Sequence, residues 1–96
     1  MDVNGVFRAL ADPTRRDILR LLNQRDMTAG EIADQFPLAP STLSGHFNVL
    51  KHAGLIEAER KATTMVYRLN VSAAEESVAA LMDIFRVGSP REPREP

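Results

Sequence analysis

Two prolines three positions apart, Pro37 and Pro40, lie between two segments with helical apolar spacing, and they constrain this chain more than any other feature. Proline breaks a helix interior, because it lacks an N–H and its ring strikes the preceding turn, yet it suits the first helical position. The spacing therefore predicts a helix stopped by Pro37, a linker of Leu38 and Ala39, and a new helix opened by Pro40. Two short helices joined so tightly cannot lie antiparallel and bury much surface. A near-perpendicular helix-turn-helix is the geometry that remains.

The upstream helix begins at Thr28, which pairs with Glu31 three residues later as a capping box. Ile32, Ala33 and Phe36 are its expected inner face. In the downstream helix, with Leu43 set at 0° and about 100° per residue, Leu43, Phe47 and Leu50 fall within about 60° of one another. Ser41, Gly45, Asn48 and His52 fall opposite, Ser44 and Lys51 on one flank, Thr42 and Val49 on the other, and His46 nearer the buried side. Gly54 is placed to end this helix as a C′ glycine.

From Ile56 to Asn70 the apolar period changes from helical to alternating. Ile56 and Ala58 alternate with Glu57 and Glu59, Met65, Tyr67 and Leu69 with Val66 and Arg68, around Lys61-Ala62-Thr63-Thr64. This is a β-hairpin pattern. Helices are also expected at both ends. Val3, Val6, Phe7 and Leu10 have i, i+3, i+4, i+7 spacing, and Asp12-Pro13 caps and opens a second helix that buries Ile18, Leu19 and Leu22, with Arg15, Arg16 and Arg20 on its wetter sides. Ser72 with Glu75 looks like another capping box, ahead of Val78, Leu81, Met82 and Phe85, and Gly88 closes that helix. Residues 89–96 repeat Arg-Glu-Pro without an apolar side chain and are expected to be a disordered C-terminal tail. The order ααα-α-ββ-α is mainly α with a β-hairpin wing, a winged helix-turn-helix spanning residues 1–88 as one domain.

Net charge over the 96 residues is −1, which taken alone speaks against a nucleic-acid partner. The distribution is uneven. Residues 1–40 and 71–96 are net acidic, whereas residues 41–70 set Lys51, Arg60, Lys61 and Arg68 against Glu57 and Glu59. The chain has no cysteine for a disulfide, no apolar run near the ~18 residues of a membrane span, and neither a basic region nor an apolar core in Met1-Asp2-Val3-Asn4. A cytoplasmic protein without membrane insertion is expected.

Small polar side chains near a helix start can approach base edges closely, and the amides of Ser41 and Thr42 favour a phosphate. The same residue types also serve as ordinary caps. The adjacent basic hairpin tips the balance toward double-stranded DNA. Candidate contacts are Pro40, Ser41, Thr42, Ser44, Gly45, His46, Asn48 and Lys51 on the helix, with Arg60, Lys61, Thr63, Thr64 and Arg68 on the wing. Wing cations also simply blunt sheet edges. Arg15 and Arg16 are expected to serve helix-end or interdomain pairing rather than DNA, with a phosphate contact as the alternative. The terminal apolar stripes, Val3, Val6, Phe7 and Leu10 with Val78, Leu81, Met82 and Phe85, either fold onto their own domain or pair with a twin.

Asp12-Pro13-Thr14-Arg15-Arg16, Ser41-Thr42-Leu43-Ser44, the segment from Leu50 to Ile56, and Tyr67-Arg68-Leu69 together resemble the ArsR/SmtB family of bacterial dimeric repressors, over roughly residues 3–87. The resemblance implies base-facing positions at 41, 44 and 45, a wing at 56–70, and dimerisation through the first and last helices. A two-fold dimer would set two such helices about 34 Å apart and read a pseudo-palindrome. Three positions depart from the family pattern. Gly45 stands where histidine is common, Ala39 replaces a hydroxyl cap, and Ala62 occupies a turn position often held by glycine.

Many relatives sense metals through cysteines on the third helix or His/Asp ligands on the last. Here Thr28-Ala29-Gly30-Glu31-Ile32 has no thiol, the last helix has no histidine, and His46 and His52 are about 120° apart on one helix. No metal or cofactor is therefore expected. Ser44 near His46 has no catalytic context, and no glycine-rich phosphate loop is present, so no enzyme is expected. The primary expectation is a homodimeric, sequence-specific repressor, resembling the metal-free autorepressor branch, that occludes a promoter such as its own. Induction could come from a partner protein that titrates it. Two alternatives compete: a winged-helix protein-interaction module, favoured mildly by the charge balance and Gly45, and a repressor responsive to a metal or small ligand.

Overall fold

The computed structural model describes residues 2–85, and the expected tail at 89–96 and the closing role of Gly88 lie outside them. Helix α1 (Val3–Leu10) starts from Asp2, whose carboxylate accepts from the Asn4 amide at 3.1 Å. Helix α2 (Pro13–Gln24) starts from Asp12, which accepts from Thr14 and Arg15 at 2.8 and 3.2 Å, with Pro13 at the first helical position. In both cases a side-chain oxygen replaces the missing intrahelical acceptor of the first turn.

A two-residue strand, β1 (Met27–Thr28), leads into α3 (Ala29–Ala33). Thr28 and Glu31 form both arms of the capping box, at 3.1 and 2.9 Å. The helix is shorter than expected. It ends at Ala33, and tighter i→i+3 bonds, Gln35 to Ile32 at 3.0 Å and Phe36 to Ala33 at 3.2 Å, carry the chain toward Pro37. Proline disfavours helical backbone in the residue before it, so winding has already stopped when Pro37 arrives. The linker is correspondingly longer than Leu38 and Ala39. Ile32 is fully buried and Phe36 packs against the core, but Ala33 is exposed rather than on the inner face.

Helix α4 (Pro40–His52) closes in a Schellman arrangement. Gly54, at φ +77°, donates to Lys51 at 2.9 Å and Leu55 donates to Leu50 at 3.1 Å, which satisfies two terminal carbonyls. Strands β2 (Ile56–Lys61) and β3 (Thr64–Leu69) form the hairpin, paired from Ile56↔Leu69 to Lys61↔Thr64. The strands extend through Lys61 and Thr64, leaving only Ala62 and Thr63 as the turn. β1 adds to the other side of β3 through Met27↔Tyr67 and Thr28↔Val66, giving a three-stranded antiparallel sheet in the order β1-β3-β2.

Helix α5 (Val71–Phe85) is capped by Asn70, whose side chain accepts from Ala73 at 3.1 Å. Ser72 is therefore inside the helix, and the Ser72–Glu75 capping box is not the start. Asn70 and Ser72 are both good caps, and Asn70 takes the role because its own amide is already bonded to Leu55, at 2.9 Å, where the hairpin ends. The core gathers Ile18, Ile32 and Leu50, all at 0% exposure, with Leu22, Met27, Leu43, Phe47, Leu55, Ile56 and Tyr67. All its elements meet between α2, α4 and the sheet.

Candidate nucleic-acid interface

Helix α4 is anchored from beneath. Leu43, Phe47 and Leu50 are at 3, 5 and 0% exposure, so its inner seam has no slack to rotate. Phe47 stacks on Tyr67 of β3, with ring centroids 4.4 Å apart and planes at 27°. Tyr67 is itself opposite Met27 and Ala58 in the sheet. Burial raises the Tyr67 phenol above its ordinary pKa. One aromatic pair thus couples the helix to the wing that follows it.

The outer face of α4 matches the wheel. Ser41, Thr42, Ser44, Gly45, Asn48, Lys51 and His52 are all exposed, as is Pro40. Ala39 supplies no side-chain cap, so the amides of the first turn stay open toward solvent. A Cβ built on Gly45 would meet nothing within 4 Å, so this position faces open space. His46 is different. It is half-buried and its Nδ1 lies 3.2 Å from Arg15 NH1, so it faces α2 rather than standing outward with the other candidate contacts. Burial acts to raise the pKa of nearby Asp12, but hydrogen bonds from the Arg15 and Thr14 amides, with the Arg15 charge, lower it overall.

Arg15 and Arg16 end up at a helix terminus. Arg15 donates to Ala9 and Arg8 carbonyls at 2.9 and 2.7 Å, and Arg16 donates to Leu10 at 2.7 Å, closing the last turn of α1. Both stay partly exposed while their guanidinium groups bond back to α1. Arg20 is exposed and pairs with Asp17.

On the wing, Arg68 is committed to its own hairpin. It pairs with Glu57 at 3.2 Å and Glu59 at 3.0 Å, because Glu57 is directly opposite it and Glu59 is one diagonal step away. The Arg68 hydrogen bond, helped by the Lys61 charge, lowers the Glu59 carboxyl from its ordinary pKa. Arg68 therefore neutralises the base of the wing instead of offering a free cation. The tip is left with Arg60 and Lys61 beside the exposed hydroxyls of Thr63 and Thr64. Among the described residues, the side chains of Arg60 and Lys51 have no hydrogen-bond or ion-pair partner. Ala62 adopts φ +55°, a region that favours glycine, so the turn has glycine-like geometry without glycine.

The terminal helices differ in how much surface they keep. Val6 is only 2% exposed and Leu10 is partly buried against the core, so Val6 is sealed inside its own protomer and has nothing left for a twin. Phe7, Val78, Met82 and Phe85 are 42, 52, 50 and 74% exposed. α5 buries only Ala73 and Ser77. Among the described residues no three His, Cys, Asp or Glu side chains are grouped as metal ligands, and no helix is long and apolar enough to cross a membrane.

A helix-turn-helix whose second helix shows a small polar face, followed by a β-hairpin with a basic tip, defines a winged helix-turn-helix domain. Residues 12–58 match the family described as "Bacterial regulatory protein, arsR family". Over 86 residues the chain is 41% identical to transcriptional repressor SdpR of Bacillus subtilis (strain 168), covering 90% of this chain and 96% of that one. Its fold superposes on the crystal structure of an ArsR family transcriptional regulator, RHA00566, with TM-score 0.84 and 27% identity, over 95% of this chain and 100% of that one. It also matches the homodimeric winged helix-turn-helix DNA-binding domain of Mb0332 from Mycobacterium bovis, with TM-score 0.68 and 30% identity, over 93% of this chain and 87% of that fragment. The chain belongs to the ArsR family of bacterial regulatory proteins.

Proposed function

We propose that two copies of this chain form a repressor that occupies a pseudo-palindromic operator, its own promoter among the candidate sites. Each α4 lies in a major groove, and each wing tip rests on the flanking backbone. One observation carries this reading: α4 is immobilised on its inner side while its whole outer face is short, mostly uncharged and polar. Such a face can reach base edges at close range. Pro40, Ser41, Thr42, Ser44, Gly45 and Asn48 make the groove contact, Lys51 flanks it, and Arg60, Lys61, Thr63 and Thr64 hold phosphates. Phosphate contacts set position without choosing sequence. Arg68 supports the wing through Glu57 and Glu59, and His46 supports α4 through Arg15.

The twin is held by Phe7 with Val78, Met82 and Phe85, and by Val3 and Leu81 at their margins. SdpR is named a transcriptional repressor and Mb0332 a homodimer, which supports repression and pairing here. Repression follows from occupying promoter DNA, so the chain needs no catalytic step, no metal and no cofactor, and it acts in the cytoplasm.

Selection of genomic fragments bound by the protein supplies the operator. Titrating it with the Ser41→Ala/Ser44→Ala double variant should show roughly tenfold or greater loss of affinity with the dimer intact. Equal affinity would remove α4 as the reading element. A winged-helix protein-interaction module remains the competing use, favoured by the overall charge of −1. Binding to the selected fragments that weakens steeply with salt excludes it.

A further inference from the structure

We propose that Arg15 is a positioning residue for DNA binding, its single guanidinium tying the C-terminal end of α1 to His46 and so setting the reading helix relative to the dimer helices. The inference rests on the DNA-reading role of α4 proposed above. Three donors of one planar group are used at once: Nε to the Ala9 carbonyl at 2.9 Å, NH2 to the Arg8 carbonyl at 2.7 Å, and NH1 toward His46 Nδ1 at 3.2 Å. The Arg15 amide is in turn held by Asp12 at 3.2 Å, so the residue is gripped at both ends.

Arginine only donates, so Nδ1 must accept, and the neutral imidazole then carries its proton on Nε2. Two oxygens come from the last turn of α1, where the Arg8 carbonyl also accepts from the Ala11 amide at 3.3 Å. The third partner comes from α4. Lysine would keep the charge but cannot span three acceptors with fixed geometry. α1, α2 and β2 all pack against α4. With their caps they carry Asp2 and Arg8; Asp12, Arg15, Arg16, Asp17 and Arg20; and Glu57, Glu59, Arg60 and Lys61, respectively. Among these, Arg15 bonds the imidazole and Asp12 acts on it through charge.

Protonating His46 would turn its acceptor into a donor and set two cations face to face, releasing α4 from α1. The sign is diagnostic. An added positive charge on a DNA-facing helix should by itself tighten binding. A broken clamp should loosen it.

The test uses the full chain in a His52→Gln background, which removes the other imidazole on α4. First, without DNA, the imidazole ¹⁵N spectrum near neutrality should show the Nε2–H form of His46, lost to a tautomer mixture in Arg15→Gln. A mixture already present and unchanged by Arg15→Gln would overturn the clamp. Second, at a pH where the ¹⁵N spectrum shows His46 protonated, operator affinity should be roughly tenfold lower, while Arg15→Lys is already weak and shows no such fall. Tighter binding in acid would overturn it.

His46→Phe removes the acceptor without touching the cap on α1. It should match the loss in Arg15→Lys, and the double variant should lose no more than either. Losses that add would mean independent roles. A salt slope lowered by about 0.9 in Arg15→Gln would make Arg15 a phosphate contact instead. If the parent binds no DNA at all, the proposed function fails, and the ¹⁵N result still decides the clamp.

Discussion

Helices α4 and α5 are similar in length, 13 and 15 residues, and both are amphipathic, but they complete their packing in opposite ways. α4 buries three large apolar side chains to 5% exposure or less and shows the outside mostly short side chains, with Lys51 and His52 at its C-terminal end. α5 buries an alanine and a serine and leaves Val71, Val78, Met82, Ile84 and Phe85 at 50–74% exposure. The first helix is finished within one chain and is addressed to a polar partner. The second is unfinished and needs an apolar one. Rigidity in α4 and incompleteness in α5 is the division of labour that the proposed dimeric DNA reader requires.

Substitutions can break this contrast from either side. Leu50→Ala, in the fully buried seam of α4, should cost about 2–5 kcal/mol in denaturant unfolding, since the lost contacts leave a cavity in a close-packed core. The stripe on α5 should behave differently. Met82→Asp with Phe85→Asp should weaken self-association roughly 30-fold or more in sedimentation equilibrium, with the winged fold retained. If those variants unfolded like Leu50→Ala, α5 would be part of the core, and the contrast would collapse.

A smaller effect concerns Gly45. An added Cβ there meets open space, so Gly45→Ala should stabilise the fold by about 0.5–1 kcal/mol through higher helix propensity. Any accompanying loss of operator affinity would show that DNA approaches the helix closely at Gly45.

The pH dependence of stability should follow the caps. Asp12, Glu31 and Glu59 all have carboxyls lowered in the fold, Glu31 first by the Thr28 amide and then by Arg25. A lowered carboxyl contributes stability that is present above its unfolded pKa and lost as pH falls through its folded one. Thermal unfolding should therefore weaken progressively below the ordinary carboxylate range. Replacing Asp12 by Asn should flatten part of that acid limb.

Much of this was readable from local chemistry. Asp12-Pro13, the Thr28–Glu31 box and Gly54 each act through neighbours a few residues away, and each does so in the structure. Periodicity placed the α4 faces and the hairpin for the same reason. What escaped depends on partners far along the chain. β1 has two residues and no period to detect, and exists only because β3 pairs with it. The Arg68 ion pairs depend on hairpin register, which alternation alone leaves open. Val6 and Phe7 belong to one stripe by spacing, but α1 turns Val6 inward and leaves Phe7 out. The Arg15–His46 contact joins residues 31 apart in sequence, with no local signature.

Half-site spacing tests the central claim most directly. With the selected operator in hand, five base pairs inserted at its centre would turn the half-sites onto opposite faces of the duplex, because a helical turn is about 10.5 base pairs. Two α4 helices fixed in one dimer should then lose one half-site, and two chains per duplex should fall to weak, half-site binding. Unchanged affinity and stoichiometry on the expanded operator would contradict a rigid dimer that reads with paired α4 helices.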